Sequence, residues 1–148
     1  KSINIIWIDQ NVDSPSNQIF SKELQSIKSA KVKLFKNIEE AFAYIKEIKF
    51  EETKIIISGR LYALFIEKFK ENINDMFAAP KILVFTSDRE KFLEFNPEYD
   101  SQNNNFYNYG GIAIWFKEVI EFLDKDNLNN SIKKDLIKFR IFFRQRKA

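Results

Sequence analysis

The side chains able to do chemistry follow short apolar segments of the chain, and they are of few kinds. The sequence contains no Cys and no His, which excludes disulfides, thiolate zinc sites, cysteine nucleophiles and imidazole bases. A Ser-His-Asp hydrolase is excluded for the same reason. The candidates for a site are therefore carboxylates, hydroxyls and a guanidinium, in Asp9-Gln10, Ser58-Gly59-Arg60, Thr86-Ser87 and Tyr109.

These residues can meet only if the apolar segments before them are parallel strands of one sheet. Segments 3–8, 55–57 and 82–85 are short, β-branched and bounded by polar residues, which is typical of strands buried on both faces of a parallel sheet. Segments 32–35 and 106–109 have fewer apolar residues and fit the edges of that sheet. Because ligands of such sheets bind at the carboxyl ends of the strands, the polar groups are predicted to line one crevice.

Amphipathic helical segments separate the strands. Ser14 followed by Pro15 is typical of a helix start, and Asn37 and Ser87 each precede a Glu by three residues, the spacing of a capping box. A fifth helix is predicted from Ile112 onwards. The buried face of the third helix is predicted to consist of Leu61, Leu64, Phe65, Phe69 and Ile73.

The alternation of strands and helices predicts an α/β fold in residues 1–124. Right-handed crossovers then give a doubly wound, five-stranded parallel sheet with the flavodoxin-like strand order 2-1-3-4-5. Residues 125–148 are predicted to form a linker and an extra C-terminal helix that is basic and amphipathic.

The C-terminal segment 131–148 concentrates positive charge in a chain whose formal net charge is only +3. This pattern is typical of a docked helix or a connector, and also of helices that bind proteins, acidic membranes or RNA. We interpret it as a docked helix or connector and keep nucleic-acid or membrane-surface binding as an alternative. The basic side chains concerned include Lys133, Lys134, Lys138, Arg140, Arg144 and Arg146.

Taken together, the strand ends and their spacing resemble those of the receiver family of response regulators over about residues 3–123. Asp9 follows the first strand, where receivers carry an acid, and Thr86 ends the fourth strand, where they carry a Thr or Ser. The resemblance implies a flavodoxin-like fold and a role in signalling.

Three other positions depart from the receiver pattern. Gln10 replaces the second acid after the first strand, and Ser58 stands in place of the phosphoacceptor aspartate. Tyr109-Gly110 stand where receivers carry a Lys that is usually followed by Pro. The resemblance is therefore to a pseudo-receiver that is not phosphorylated.

The residue types support the same expectation without the family. Aspartyl-phosphate chemistry needs a nucleophilic carboxylate and a divalent cation, and Asp9 alone is a poor anchor for Mg²⁺. We therefore expect no catalysis, no metal and no cofactor. Asp9 is predicted either to pair with Arg60 or to be solvated or cap the following turn. Alternatively, the helix starts at Ser58 and Thr86 bind a small anion.

We expect a non-catalytic, receiver-like interaction or regulatory module, a fragment of a larger intracellular protein that acts in the cytoplasm. Its partner would be a protein or a neighbouring domain of the same polypeptide, with a homodimer also considered. The predicted partner surface contains Trp115, Phe116 and Val119. The main alternative is a flavodoxin-like domain that binds a nucleotide or another small ligand at the strand ends.

Overall fold

A computed structural model describes residues 3–48, 52–72, 81–97, 99 and 108–124. Strands and helices alternate along these residues, as the sequence predicts. The elements are β1 (Ile3–Ile8), α1 (Pro15–Gln25), β2 (Ala30–Phe35), α2 (Ile38–Ile48), β3 (Thr53–Ser58), α3 (Gly59–Glu71), β4 (Lys81–Phe85), α4 (Arg89–Phe95), β5 (Asn108–Ala113) and α5 (Phe116–Asp124).

All five strands form one parallel sheet in the order β2-β1-β3-β4-β5. The fold is therefore the predicted α/β, flavodoxin-like arrangement. Ile8 pairs with Ile57, and Ser58 pairs with Phe85, so β1, β3 and β4 end side by side. Because of this register, the residues that follow the three strands lie next to each other at one edge of the sheet.

Two apolar layers cover the faces of the sheet. Side chains alternate along each strand, so Ile5 and Trp7 pack on one face with α1 and α5. Ile6 and Ile8 pack on the other face with α2, α3 and α4. Both faces of the central strands are covered, which explains why their sequences are almost continuously apolar.

Helix starts confirm the sequence predictions at α1 and α2 but not at α4. Pro15 is the first residue of α1, and Asn37 Oδ1 accepts the third amide N–H of α2 at 2.9 Å. At α4 the cap is Asp88, whose Oδ1 accepts the amide N–H of Lys91 at 3.0 Å. The predicted cap Ser87 was wrong by one residue, because Asp88 offers the same acceptor one position later.

The buried face of α3 differs from the predicted one. Tyr62, Phe65, Ile66 and Phe69 are buried, whereas Leu64 is 57% exposed. A stripe through Leu64 is equally compatible with helical periodicity, so the alternation of apolar residues alone did not distinguish the two faces. Contacts with other elements distinguish the two faces, since the Tyr62 ring packs edge-on against the rings of Phe92 and Tyr99, which lie outside α3.

β5 extends further than predicted and contains the Gly110-Gly111 pair. The pairing with β4 shifts register between Ile82 and Val84, and Gly111 has φ +94°, a conformation that favours glycine. The two glycines therefore form a bulge within the strand and do not end it. Tyr99 donates its hydroxyl to the Gly111 carbonyl at 2.9 Å and holds the bulge in place.

Some predictions concern residues outside the described ranges. These are the 125–148 linker and C-terminal helix, with all the basic tail residues, the start of the predicted fifth strand at residues 106–107, and Ile73 of the predicted third helix. Among the helices that are described, none has the length and apolar character needed to cross a membrane.

Lys54 joins the amino end of β3 to the carboxyl end of α5. Its Nζ donates to the carbonyls of Phe122 and Leu123 at 2.7 and 3.0 Å and lies 5.4 Å from the Phe122 ring centroid. A cation here donates to carbonyls in the last described turn of α5 and interacts favourably with the helix dipole.

Replacing Lys54 with Met should lower the free energy of unfolding by roughly 1–3 kcal/mol, because two partly buried carbonyls lose a charged donor. The matched control is Lys28→Met, which removes an exposed cation and should change stability by less than about 0.5 kcal/mol. Urea denaturation of both variants measures the difference. Equal stabilities would contradict a role for Lys54 in fixing α5.

Candidate functional site

A cavity of about 380 Å³ opens at the carboxyl ends of β1, β3 and β4. The register of these strands brings their end residues together, and the start of α1 closes the cavity from the side. Its wall contains hydroxyls, amides, a carboxylate, a guanidinium and one phenyl ring. The lining residues are Asp9, Gln10, Asn11, Ser14, Ser16, Asn17, Ser58, Gly59, Arg60, Phe85, Thr86 and Ser87.

Asp9 stabilises the turn that leaves β1. Its Oδ1 accepts the amide N–H of Asn11 at 2.8 Å, and its backbone carbonyl accepts the amide N–H of Val12 at 3.0 Å. Within the described part of the chain, Asp9 and Arg60 form no ion pair. Of the alternatives for Asp9, the structure therefore supports the turn cap, which an Asp two residues before the donor commonly provides.

Burial raises the pKa of the Asp9 carboxyl above its ordinary value of 3.8. The bond from Asn11 and the positive charge of Arg60 oppose this rise without cancelling it. A half-buried carboxylate without a contacting cation is a destabilising feature of a fold. Ionisable side chains whose pKa values are shifted by burial are more frequent at functional sites than elsewhere in proteins.

Ser58 occupies the N-cap position of α3 without capping it. Its backbone is extended, and its side chain forms no bond with the helix. Among the described residues, its Oγ also has no hydrogen-bond partner, although it exposes less than 1 Å² to solvent. An unsatisfied buried hydroxyl is unfavourable, so Ser58 needs an explanation other than local helix geometry.

Gly59 allows α3 to begin in contact with the end of β4. A Cβ atom on Gly59 would lie 3.1 Å from Phe92 Cδ1 and 3.2 Å from Thr86 Oγ1. Thr86 is itself fixed, since its amide donates to the Ala113 carbonyl at 2.9 Å and its Oγ1 accepts the amide N–H of Asp88 at 3.3 Å. The close approach therefore favours glycine, because a larger residue would press on the side chains of Phe92 and Thr86.

The structure brings together seven of the eight predicted pocket residues. The exception is Tyr109, which pairs with Ile82 near the start of β4 and so belongs to the opposite edge of the sheet. The prediction was wrong because the Gly-Gly pair is a bulge and the strand continues to Ala113. The residues that follow β5 are Ile114 and Trp115. The seven residues at the cavity are Asp9, Gln10, Ser58, Gly59, Arg60, Thr86 and Ser87.

Two of the three predicted partner-surface residues are buried. Phe116 and Val119 are 1% and 0% exposed, and Phe116 stacks on Phe20 with ring centroids 4.3 Å apart. Both belong to the apolar layer under α1 and α5, so they cannot offer a surface to a partner. Trp115 is partly exposed.

The sequence interpretation did not assign the start of α1 to the cavity. Ser14 was identified as a helix cap, whereas Ser16 and Asn17 were not singled out, and all three line the cavity. A signal was present, because a helix that follows a strand after six residues begins at the same edge where that strand ends.

Metal ligands are scarce in the part of the chain that the structure describes. No three carboxylate side chains come together there in a way that could hold a metal ion, and Asp9 is the one acid among the described cavity residues.

Comparison of the chain with models of known protein families, with curated proteins and with solved structures finds no match.

Asp9→Asn should stabilise the domain at neutral pH. Because the folded-state pKa of Asp9 is raised, the folded protein holds its proton more tightly, and stability falls as pH rises through that pKa. The neutral amide avoids this loss and keeps an oxygen for the Asn11 amide. We expect the Tm to rise by roughly 2–4 °C at pH 7 and the gain to vanish in acid.

The control for this experiment is Asp13→Asn. The hydrogen bond from Lys36 lowers the pKa of the exposed Asp13 carboxyl, so its removal should leave the Tm unchanged or slightly lower. Thermal melts of both variants between pH 3 and pH 7 measure the contrast. A lower Tm for Asp9→Asn at pH 7 would show that the ionised carboxylate stabilises the fold.

Proposed function

We propose that this chain is a non-catalytic, receiver-like regulatory module that acts in the cytoplasm through contacts with a protein partner or a neighbouring domain. The cavity above the sheet then works by binding and shape, and no phosphoryl group is transferred to it. The observation that carries the proposal is Ser58, which ends β3 at the position of a receiver's phosphoacceptor.

The charges around the cavity support a role without phosphoryl transfer. Stable acyl-phosphate formation requires a carboxylate nucleophile, a metal site and donors for the developing charge. Asp9 is the one described acid in the cavity wall, and it already bonds the Asn11 amide. Among the described residues no base is hydrogen-bonded to Ser58 Oγ, and the sequence has no His, so its hydroxyl is not activated as a nucleophile.

A second candidate function is the binding of a small ligand at the same cavity. Its volume of about 380 Å³ is within the range of small-molecule sites. Its polar wall and the unpaired Ser58 hydroxyl favour a ligand with hydrogen-bonding groups. Such a ligand is compatible with regulation, since it would bias the start of α3 and its contact with Thr86.

The proposal is tested with the purified chain, a small acyl-phosphate donor and Mg²⁺, followed by intact-mass measurement. We expect no added phosphoryl mass, because the nucleophile and the metal ligands are missing. The matched variant Gln10→Asp/Ser58→Asp adds two carboxylates at the cavity and should bind Mg²⁺ at least tenfold more tightly by calorimetry. A Mg²⁺-dependent adduct on a carboxylate of the unmodified chain would overturn the proposal.

A further inference from the structure

The start of α3 differs from the starts of two neighbouring helices. Asn37 and Asp88 close the N-termini of α2 and α4 with side-chain oxygens, whereas Ser58 leaves α3 without a side-chain cap. The first N–H groups of an α-helix have no acceptor within the helix. At α3 these donors therefore need an acceptor from outside, and the cavity is the space beside them.

The Ser58 hydroxyl gives an independent indication of a ligand. Its Oγ is buried and has no partner among the described residues, yet Ser58 lines the cavity. The indole Nε1 of Trp7 is also buried and unpaired, but Trp7 lies inside the apolar layer and does not line the cavity. Ser58 thus combines an unsatisfied hydroxyl with a position beside an open space.

The opposite wall of the cavity supplies further hydroxyls. Ser14, the N-cap of α1, also makes no side-chain cap, and its Oγ lies 3.2 Å from the Oγ of Ser16. Both residues line the cavity together with Ser58. Two helix N-termini therefore direct the positive ends of their dipoles at one space, an arrangement that favours an anion.

Arg60 and Asp9 carry opposite charges at the cavity and would affect a bound anion in opposite ways. Arg60 belongs to the first turn of α3, is exposed and forms no ion pair within the described ranges, so its guanidinium is available to an anion. Asp9, the one described acid of the cavity wall, would repel an anion. A tetrahedral oxyanion would bind nearer to Ser58 and Arg60 than to Asp9.

We propose that the cavity holds the phosphate group of a phosphate-bearing small molecule, bound without a covalent bond between the N-termini of α1 and α3. The phosphate oxygens accept the Ser58 hydroxyl and the first amides of α3, and Arg60 adds a charged donor. This inference rests on the second candidate function, and it names the chemical class of the ligand.

The test is a titration of the full 148-residue chain with inorganic phosphate, followed by amide shifts in two-dimensional ¹⁵N NMR. Sodium chloride at equal ionic strength is the reference. We expect saturable shifts at Gly59, Arg60 and Ser16 that chloride does not produce. AMP, which carries the same group on an organic body, should shift the same amides, with tighter binding if the rest of the cavity contacts adenosine.

Three variants and one control, Arg89→Gln, assign the binding to the named groups. Ser58→Ala should weaken phosphate binding about tenfold without lowering the Tm, since its hydroxyl bonds nothing in the described structure. Arg60→Gln should weaken binding about three- to tenfold, whereas Arg89→Gln, an exposed arginine at the start of α4 outside the cavity, should not. Asp9→Asn should strengthen it by removing the opposing charge.

The results separate this inference from the proposed function. Amide shifts that match those in chloride, or binding unchanged by both Ser58→Ala and Arg60→Gln, would overturn the phosphate site. Intact mass of the titrated sample reports on the proposed function alone, because an adduct there shows phosphoryl transfer whatever the amide shifts show.

Discussion

The parallel register of β1, β3 and β4 is the constraint on which the site depends. Pairing of Ile8 with Ile57 and of Ser58 with Phe85 ends three strands at one edge and places Asp9, Ser58 and Thr86 beside each other. A slip of one residue would turn every side chain of a strand to the other face, so Ile5 and Trp7 would exchange apolar layers with Ile6 and Ile8 and lose the neighbours they pack against. The packing of the core therefore fixes the geometry of the cavity.

Three unfavourable features of the described structure lie at this edge. The Ser58 hydroxyl is buried without a partner, Asp9 is partly desolvated, and α3 begins without a side-chain cap. By contrast, the starts of α2 and α4, which follow parallel strands at the same edge, are closed by Asn37 and Asp88. Natural sequences commonly break local rules at functional sites and follow them elsewhere. This contrast supports the ligand site that we propose at the start of α3.

Much of the fold could be predicted from the sequence because strands buried on both faces have a distinct composition. The sequence pattern was less informative where the same residues fit two different local structures. Gly110-Gly111 fits a turn as well as a bulge, and the difference depends on pairing with β4, which no local pattern encodes. The face of α3 was likewise decided by rings from other elements, and Leu64 became exposed. Three of the pocket residues that were missed, Ser14, Ser16 and Asn17, lie at the start of α1, whose place is a consequence of topology.

The central claim is that the cavity binds and does not catalyse. A crystal structure of the chain grown with phosphate and Mg²⁺ tests it most directly. The account predicts a discrete phosphate within hydrogen-bond distance of Ser58 Oγ and the first amides of α3, with no covalent bond to the protein and no metal on Asp9. A phosphoryl group attached to a carboxylate, or a Mg²⁺ ion coordinated by Asp9, would contradict it.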